Sequence, residues 1–332
     1  MNWHRFFCGI LTVAVAACFC SGSLVEAKTI KVASVLHAKH PVNLGIQKFK
    51  DIVEKESNGK IQVKVYPAAQ LGNIHALTAA VKLGDIQGAV LTYPAMGDMV
   101  KAFNILAAGY LFRDFDHQNA VINSELGATW RHALIKKGGL RIIGSLYFGY
   151  RTLTTTKKPI YSPKDLHGLK IRSVPNPMSQ AVVSGLGGTP TPVPFPELFG
   201  ALRQGVVDGQ ENPFTVIWNK KLYQVQKYLM LTRHQLISLP FVMNNDFYQG
   251  LSEDLKNIVL SAAVEGTAYG TGLGIELENA QLEKLKEKGI VVIGEQEGLK
   301  LAAFRESVMK SVKQKFAPQL SEELFDKVHH FQ

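Results

Sequence analysis

Two arginines stand where apolar runs end and the chain turns. Arg172 closes Leu169-Lys-Ile-Arg and precedes Pro175-Asn176-Pro177, while Arg151 follows Leu140–Leu146 inside Phe148-Gly-Tyr-Arg. In open α/β sheets, ligands collect at the carboxyl ends of strands, and helix N-termini attract anions. A guanidinium fork at such a place suits a carboxylate through two parallel hydrogen bonds. Taken alone, an arginine on a strand is more often a solvated surface residue. Two of them at two strand ends favour a cleft that holds an anion.

The residues around them do not build a reaction centre. Asp208 and Glu211 lie three apart in the extended run Asp-Gly-Gln-Glu-Asn212, which puts them on opposite faces rather than paired for acid–base work. The chain has no nucleophile elbow, no His-Glu-x-x-His and no Cys-x-x-Cys, so it is read as a non-enzyme that uses no cofactor. His37 and His40 are three apart in a turn with no third ligand nearby, which argues against a metal and for a loop beside a cleft. Gly270-Thr-Gly-Leu-Gly274 sits within a helical pattern without a following Lys-Ser or Lys-Thr. It is therefore a packing or bending feature rather than a phosphate loop.

Helix and strand signals alternate, which predicts α/β layering. Strands are expected at 30–35, 61–65, 86–91, 140–146 and 169–172. Val42, Ile46, Phe49, Ile52 and Val53 share one helical face, stopped by Asn58-Gly59. A second helix covers 74–83. Ser162-Pro163 and Asn176-Pro177 read as caps with proline in the first turn, and Pro196 opens a helix ending at Gly205. Ser252 caps a pattern that continues to about Lys288, roughly 50 Å at 1.5 Å per residue. That length exceeds one small domain and implies a helix bridging two, with the three glycines marking a bend.

Residues 1–27 have a short basic start, an apolar core over Phe6–Phe19 and small residues at Val25 and Ala27, the layout of a signal peptide cleaved after Ala27. Val15-Ala-Ala-Cys18 offers lipidation as the alternative. All three cysteines fall in this leader, so the mature chain is expected to have no disulfide and to hold itself together by core burial. The net charge of +10 comes from dispersed lysines. It predicts a basic solvated surface rather than a nucleic-acid site.

From about Thr29 to Asp326, and most sharply from Gly149 to Leu231, the chain resembles the solute-binding proteins of tripartite ATP-independent periplasmic (TRAP) transporters, the DctP family. The likeness rests on Gly149-Tyr-Arg-Thr, on Lys158-Pro-Ile-Tyr-Ser-Pro-Lys-Asp-Leu-His-Gly-Leu-Lys-Ile-Arg172 and on Thr189-Pro-Thr-Pro-Val-Pro-Phe195. Ala201-Leu-Arg-Gln-Gly-Val-Val-Asp-Gly-Gln-Glu-Asn-Pro213 is its most specific run, and looser matches lie at Pro67–Gly72 and Leu111–Asp114. The resemblance implies a two-domain periplasmic-binding-protein fold with a hinge, a ligand cleft between the α/β domains and a long helix spanning both. The domains would be 28–148 plus 238–277 and 149–237 plus 278–332. Arg172 would grip a solute carboxylate, Arg151 and Asn212 would add polar contacts, Phe195 would form an apolar wall and Glu211 would position this shell. Tyr150, Asn176, Trp218 and His37 are placed at the lining by their positions beside these elements.

The implied function is capture of an organic acid, such as a C4-dicarboxylate or sugar acid, in the periplasm. The implied partners are a small DctQ-like and a large DctM-like membrane subunit, with the binder itself a monomer. A binder for an ATP-driven importer or a sensor kinase is the alternative. Two departures from the family pattern bear on the solute. Asn73-Ile-His75 follows Gln70-Leu-Gly72 where the family often has an acid, and Ser-Val-Pro-Asn-Pro follows Arg172.

Overall fold

The computed structural model describes residues 27–331; the leader and its cleavage or lipidation site lie outside them. Nine strands form one sheet: β1 (Lys28–Ala33), β2 (Ile61–Tyr66), β3 (Gly88–Val90), β4 (Leu140–Thr155), β5 (Lys170–Ser173), β6 (Thr189–Pro192), β7 (Gly209–Asn212), β8 (Tyr228–Asn244) and β9 (Val291–Ile293). The order is β2-β1-β3-β8-β4-β7-β5-β6, with β9 beside β8. Two short parallel groups, β2-β1-β3 and β7-β5-β6, hang from opposite ends of a long antiparallel pair, β4 and β8. That pair runs through both halves, and its register shifts three times, between Ile142 and Gly144, Tyr147 and Gly149, and Arg151 and Leu153. Such shifts bend and twist a ladder. Gly149 takes φ +119, a conformation closed to most side chains.

Here the structure corrects the sequence reading. The strand expected at 140–146 continues to Thr155, and β8 carries Pro240 inside a seventeen-residue strand. Pro240 lacks a donor, but its carbonyl still accepts from Leu91 N at 3.0 Å. The turn at Ser162-Pro163 is a short 3-10 segment, Pro163–Leu166, rather than an α-helix. By contrast, Asn176 caps the helix Pro177–Leu186 as its sequence predicts, its Oδ1 accepting from Ser179 N at 2.8 Å.

The long helix spans Glu253–Glu287, capped by Ser252. Its first half buries Val259, Ala262 and Ala263 in the main core, and Leu285 near its far end enters a second cluster with Leu198, Leu202, Phe214 and Ile217. The helix is continuous through its glycines. Gly266 and Gly270 let the backbone approach the helix Pro41–Glu56 at Gly45, where a Cβ on Gly45 would lie 2.6 Å from the Gly266 carbonyl oxygen. Gly272 faces open space. Gly45→Ala is therefore expected to destabilise by about 1–3 kcal/mol through overpacking. Gly272→Ala should stabilise by about 0.5–1 kcal/mol through helix propensity. Urea denaturation of the two variants checks both signs.

Candidate functional site

Strand β5 lies between β7 and β6, so both of its edges are paired, and Ile171 and Arg172, which point to opposite faces, are each buried. Arg172 is 0% exposed. Its Nε donates to the Val193 carbonyl at 2.9 Å, while Nη1 and Nη2 have no partner among the described residues. The side chain lines a cavity of about 100 Å³ between the two strand groups. Burial first, and then the Arg151 charge, push its pKa down to about 9, with Glu211 opposing.

Arg151 reaches the same cavity from β4 and is committed elsewhere. Its Nη2 donates to the Glu211 backbone carbonyl at 2.6 Å and to Oε1 at 2.9 Å, and its Nε to Oε2. The pairing of β4 with β7 fixes this contact by setting Leu153 opposite Glu211. His234 from β8 adds Nε2 at 3.3 Å from Glu211 Oε2, its Nδ1 lying 2.9 Å from Thr232 Oγ1. Burial alone would raise the Glu211 carboxyl. The Arg151 charge and the hydrogen bonds from His234 and Arg151 outweigh it and hold the carboxyl down at about 2. Burial also lowers the His234 pKa, so the imidazole is neutral at pH 7.

The charge count follows. Arg151 and Glu211 cancel, His234 is neutral, and Arg172 remains a positive charge out of water without a counter-ion among the described residues. Such a charge costs several kcal/mol, and an anion entering the cavity would offset it.

Five of the residues singled out from the sequence line this cavity: Arg172, Arg151, Asn212, Phe195 and Asn176. Glu211 stands directly behind Arg151. Three others lie elsewhere. Tyr150 is adjacent to Arg151 on β4, so it turns to the opposite face, donating from its hydroxyl to Arg113 O at 3.1 Å. Trp218 stacks on Tyr223 at 5.4 Å and packs on the second core cluster. His37 is exposed in its turn, where its Nδ1 accepts from Lys39 N, and Val35 and Leu36 line the cavity in its place.

The sequence reading missed Tyr93, Phe148, His75, Gln235 and Ser238, which also line the cavity. Tyr93 could have been found, since it follows the carboxyl end of β3. Phe148, Gln235 and Ser238 sit mid-strand on β4 and β8, where no local signal marks them.

A cavity between the two strand groups, lined by one uncompensated cation, suits the binding of an anionic solute. The chain belongs to the DctP family, bacterial extracellular solute-binding protein family 7, whose model matches residues 32–319. These are periplasmic, non-enzymatic components of transport. The chain is 29% identical over 306 residues to the 2,3-diketo-L-gulonate-binding periplasmic protein YiaO of Escherichia coli, covering 92% of each chain. It also superposes on solved two-domain TRAP periplasmic solute-binding proteins. The one from Actinobacillus succinogenes with bound L-galactonate gives a TM-score of 0.86 at 30% identity, covering 91% of this chain and 98% of that one. The one from Sulfurospirillum deleyianum with bound succinate gives 0.85 at 30%, covering 92% and 99%.

Proposed function

We propose that this chain captures an organic acid in the periplasm by pairing the Arg172 guanidinium with a solute carboxylate. The observation that carries this reading is the pair of unpartnered Nη atoms on a fully buried arginine lining the cavity. Succinate, L-galactonate and 2,3-diketo-L-gulonate, which name the ligands of similar proteins, are all carboxylates. Asn212 and Asn176 supply polar contacts, Phe195 closes an apolar wall, and Glu211 fixes Arg151 so that its charge does not compete for the anion.

The lobes are assigned to 28–148 plus 238–277 and to 149–237 plus 278–332, and the crossing strands β4 and β8 serve as the hinge. Solute bridging Arg172 and the opposite lobe favours the closed form. Closure removes water and strengthens the ion pair. The closed monomer then delivers its cargo to the TRAP membrane subunits. A thermal-shift screen across carboxylates tests this: an acid present at about 100 times its Kd adds about 2.7 kcal/mol of stability. A library in which neutral solutes shift the melting point and acids do not would refute it.

A further inference from the structure

Resting on the reading that Arg172 holds a carboxylate, we infer that the solute is a monocarboxylate with a compact apolar tail, rather than a dicarboxylate or a polyhydroxylated sugar acid. Charge decides the first half. Among the described residues, the cavity lining contains no aspartate or glutamate, and its basic groups are Arg151, Arg172 and His75. Glu211 neutralises Arg151. His75 is exposed, and its Nε2 lies 3.2 Å from the Pro175 carbonyl oxygen. Lys220, outside the lining, holds its ammonium 4.5 Å from the Phe195 ring centroid, so within the lining one free cation serves one carboxylate. A second carboxylate would be desolvated without a partner, and an ammonium group would find no acid to pair with.

The polar groups decide the second half. A sugar acid needs a partner for each hydroxyl, because a hydroxyl stripped of water and left unpaired is penalised. Each lining amide makes a hydrogen bond within the protein, and the Asn212 and Gln235 oxygens with the unpartnered Ser238 hydroxyl are fewer than the hydroxyls of a sugar acid. Asn176 Oδ1 accepts from Ser179 N, Asn73 Oδ1 accepts from Ala76 N, Asn212 Nδ2 donates to Gln210 Oε1, and Gln235 Nε2 donates to Ala107 O. Leu36, Ile74, Leu91, Leu106, Phe148 and Phe195 supply apolar surface around them. The volume, about 100 Å³, is below the roughly 150 Å³ dry cavity that accepts benzene, so the tail is compact.

Calorimetry on the purified protein with 3-methylbutanoate, 4-methyl-2-oxopentanoate, succinate and L-galactonate tests this. The tighter of the two monocarboxylates is expected to bind at least tenfold more tightly than succinate or L-galactonate. Ile74→Glu puts a carboxylate into the apolar wall at the first position of the helix Ile74–Leu83, where the helix dipole favours an acid and folding is retained. It should weaken the monocarboxylates at least tenfold while narrowing or reversing their margin over L-galactonate. Succinate or L-galactonate binding as tightly as the monocarboxylates, with that binding lost in Arg172→Met, overturns the apolar-tail inference alone. So does an Ile74→Glu variant with unchanged preference. If none of the four acids binds, this inference falls; if binding survives Arg172→Met, the carboxylate reading falls and this inference with it.

Discussion

Replacing Arg172 with alanine is expected to weaken binding of the cognate acid by about 3–5 kcal/mol, on the order of 10²–10³-fold in Kd. The fork would meet the carboxylate in a site where the side chain is 0% exposed, so water cannot replace the lost bonds. Arg172→Lys should also lose much of the affinity, because an ammonium on a flexible stem cannot offer two parallel donors. Stability should move the other way. In the ligand-free protein this guanidinium is a buried charge with two orphaned donors. Arg172→Met, close in volume, should leave the ligand-free melting temperature unchanged or raised. Calorimetry and thermal unfolding of the same variant separate the two effects. A variant that binds normally, or that fails to fold, contradicts the role assigned to the charge.

The second large effect falls on Glu211. Glu211→Gln removes the only counter-charge of Arg151 among the described residues and leaves two guanidinium groups facing one cavity, so unfolding by urea at pH 7 should require about 3–5 kcal/mol less. The pH dependence has a definite sign. The folded carboxyl is held at about 2, below its ordinary value of 4.5. Between those values the unfolded chain binds more protons than the folded one, so stability falls as the pH falls through that window. Above pH 4.5 the contribution is complete. Glu211→Gln should lack this component and show a flatter stability profile between about pH 4.5 and 2. Equal stability of the two proteins at pH 7 would remove Glu211 from the account.

Local chemistry made part of this architecture legible in the sequence. Asn176-Pro177 and Ser252 announce helix starts by side-chain capping and a fixed proline φ, and both helices begin there. Ile61, Val63 and Val65 alternate because only one face of β2 is buried. The long strands were illegible for the opposite reason. Nearly every residue of β8 from Arg233's neighbour His234 to Asn244 is buried, so no period-two pattern survives, and Pro240 argues against a strand. The segment Phe148-Gly149-Tyr150 lies beyond the strand end expected at Leu146, whereas its glycine serves a register shift inside β4. Ending the strand at Leu146 left Tyr150 free to be placed beside Arg151 at the lining. As strand neighbours they face opposite ways. Arg172 was accessible to reasoning because a strand end and a capped helix adjoin it in sequence. Glu211's partner His234, 23 residues distant, was not, because only the pairing of β4 with both β7 and β8 brings them together.

The most direct test is a structure of the protein with the acid that raises its melting temperature most. The account predicts the solute's two carboxylate oxygens each within about 2.7–2.9 Å of Arg172 Nη1 and Nη2, with Arg151 still held by Glu211. A bound solute whose carboxylate lies elsewhere, leaving both Nη atoms without an anionic partner, would contradict it.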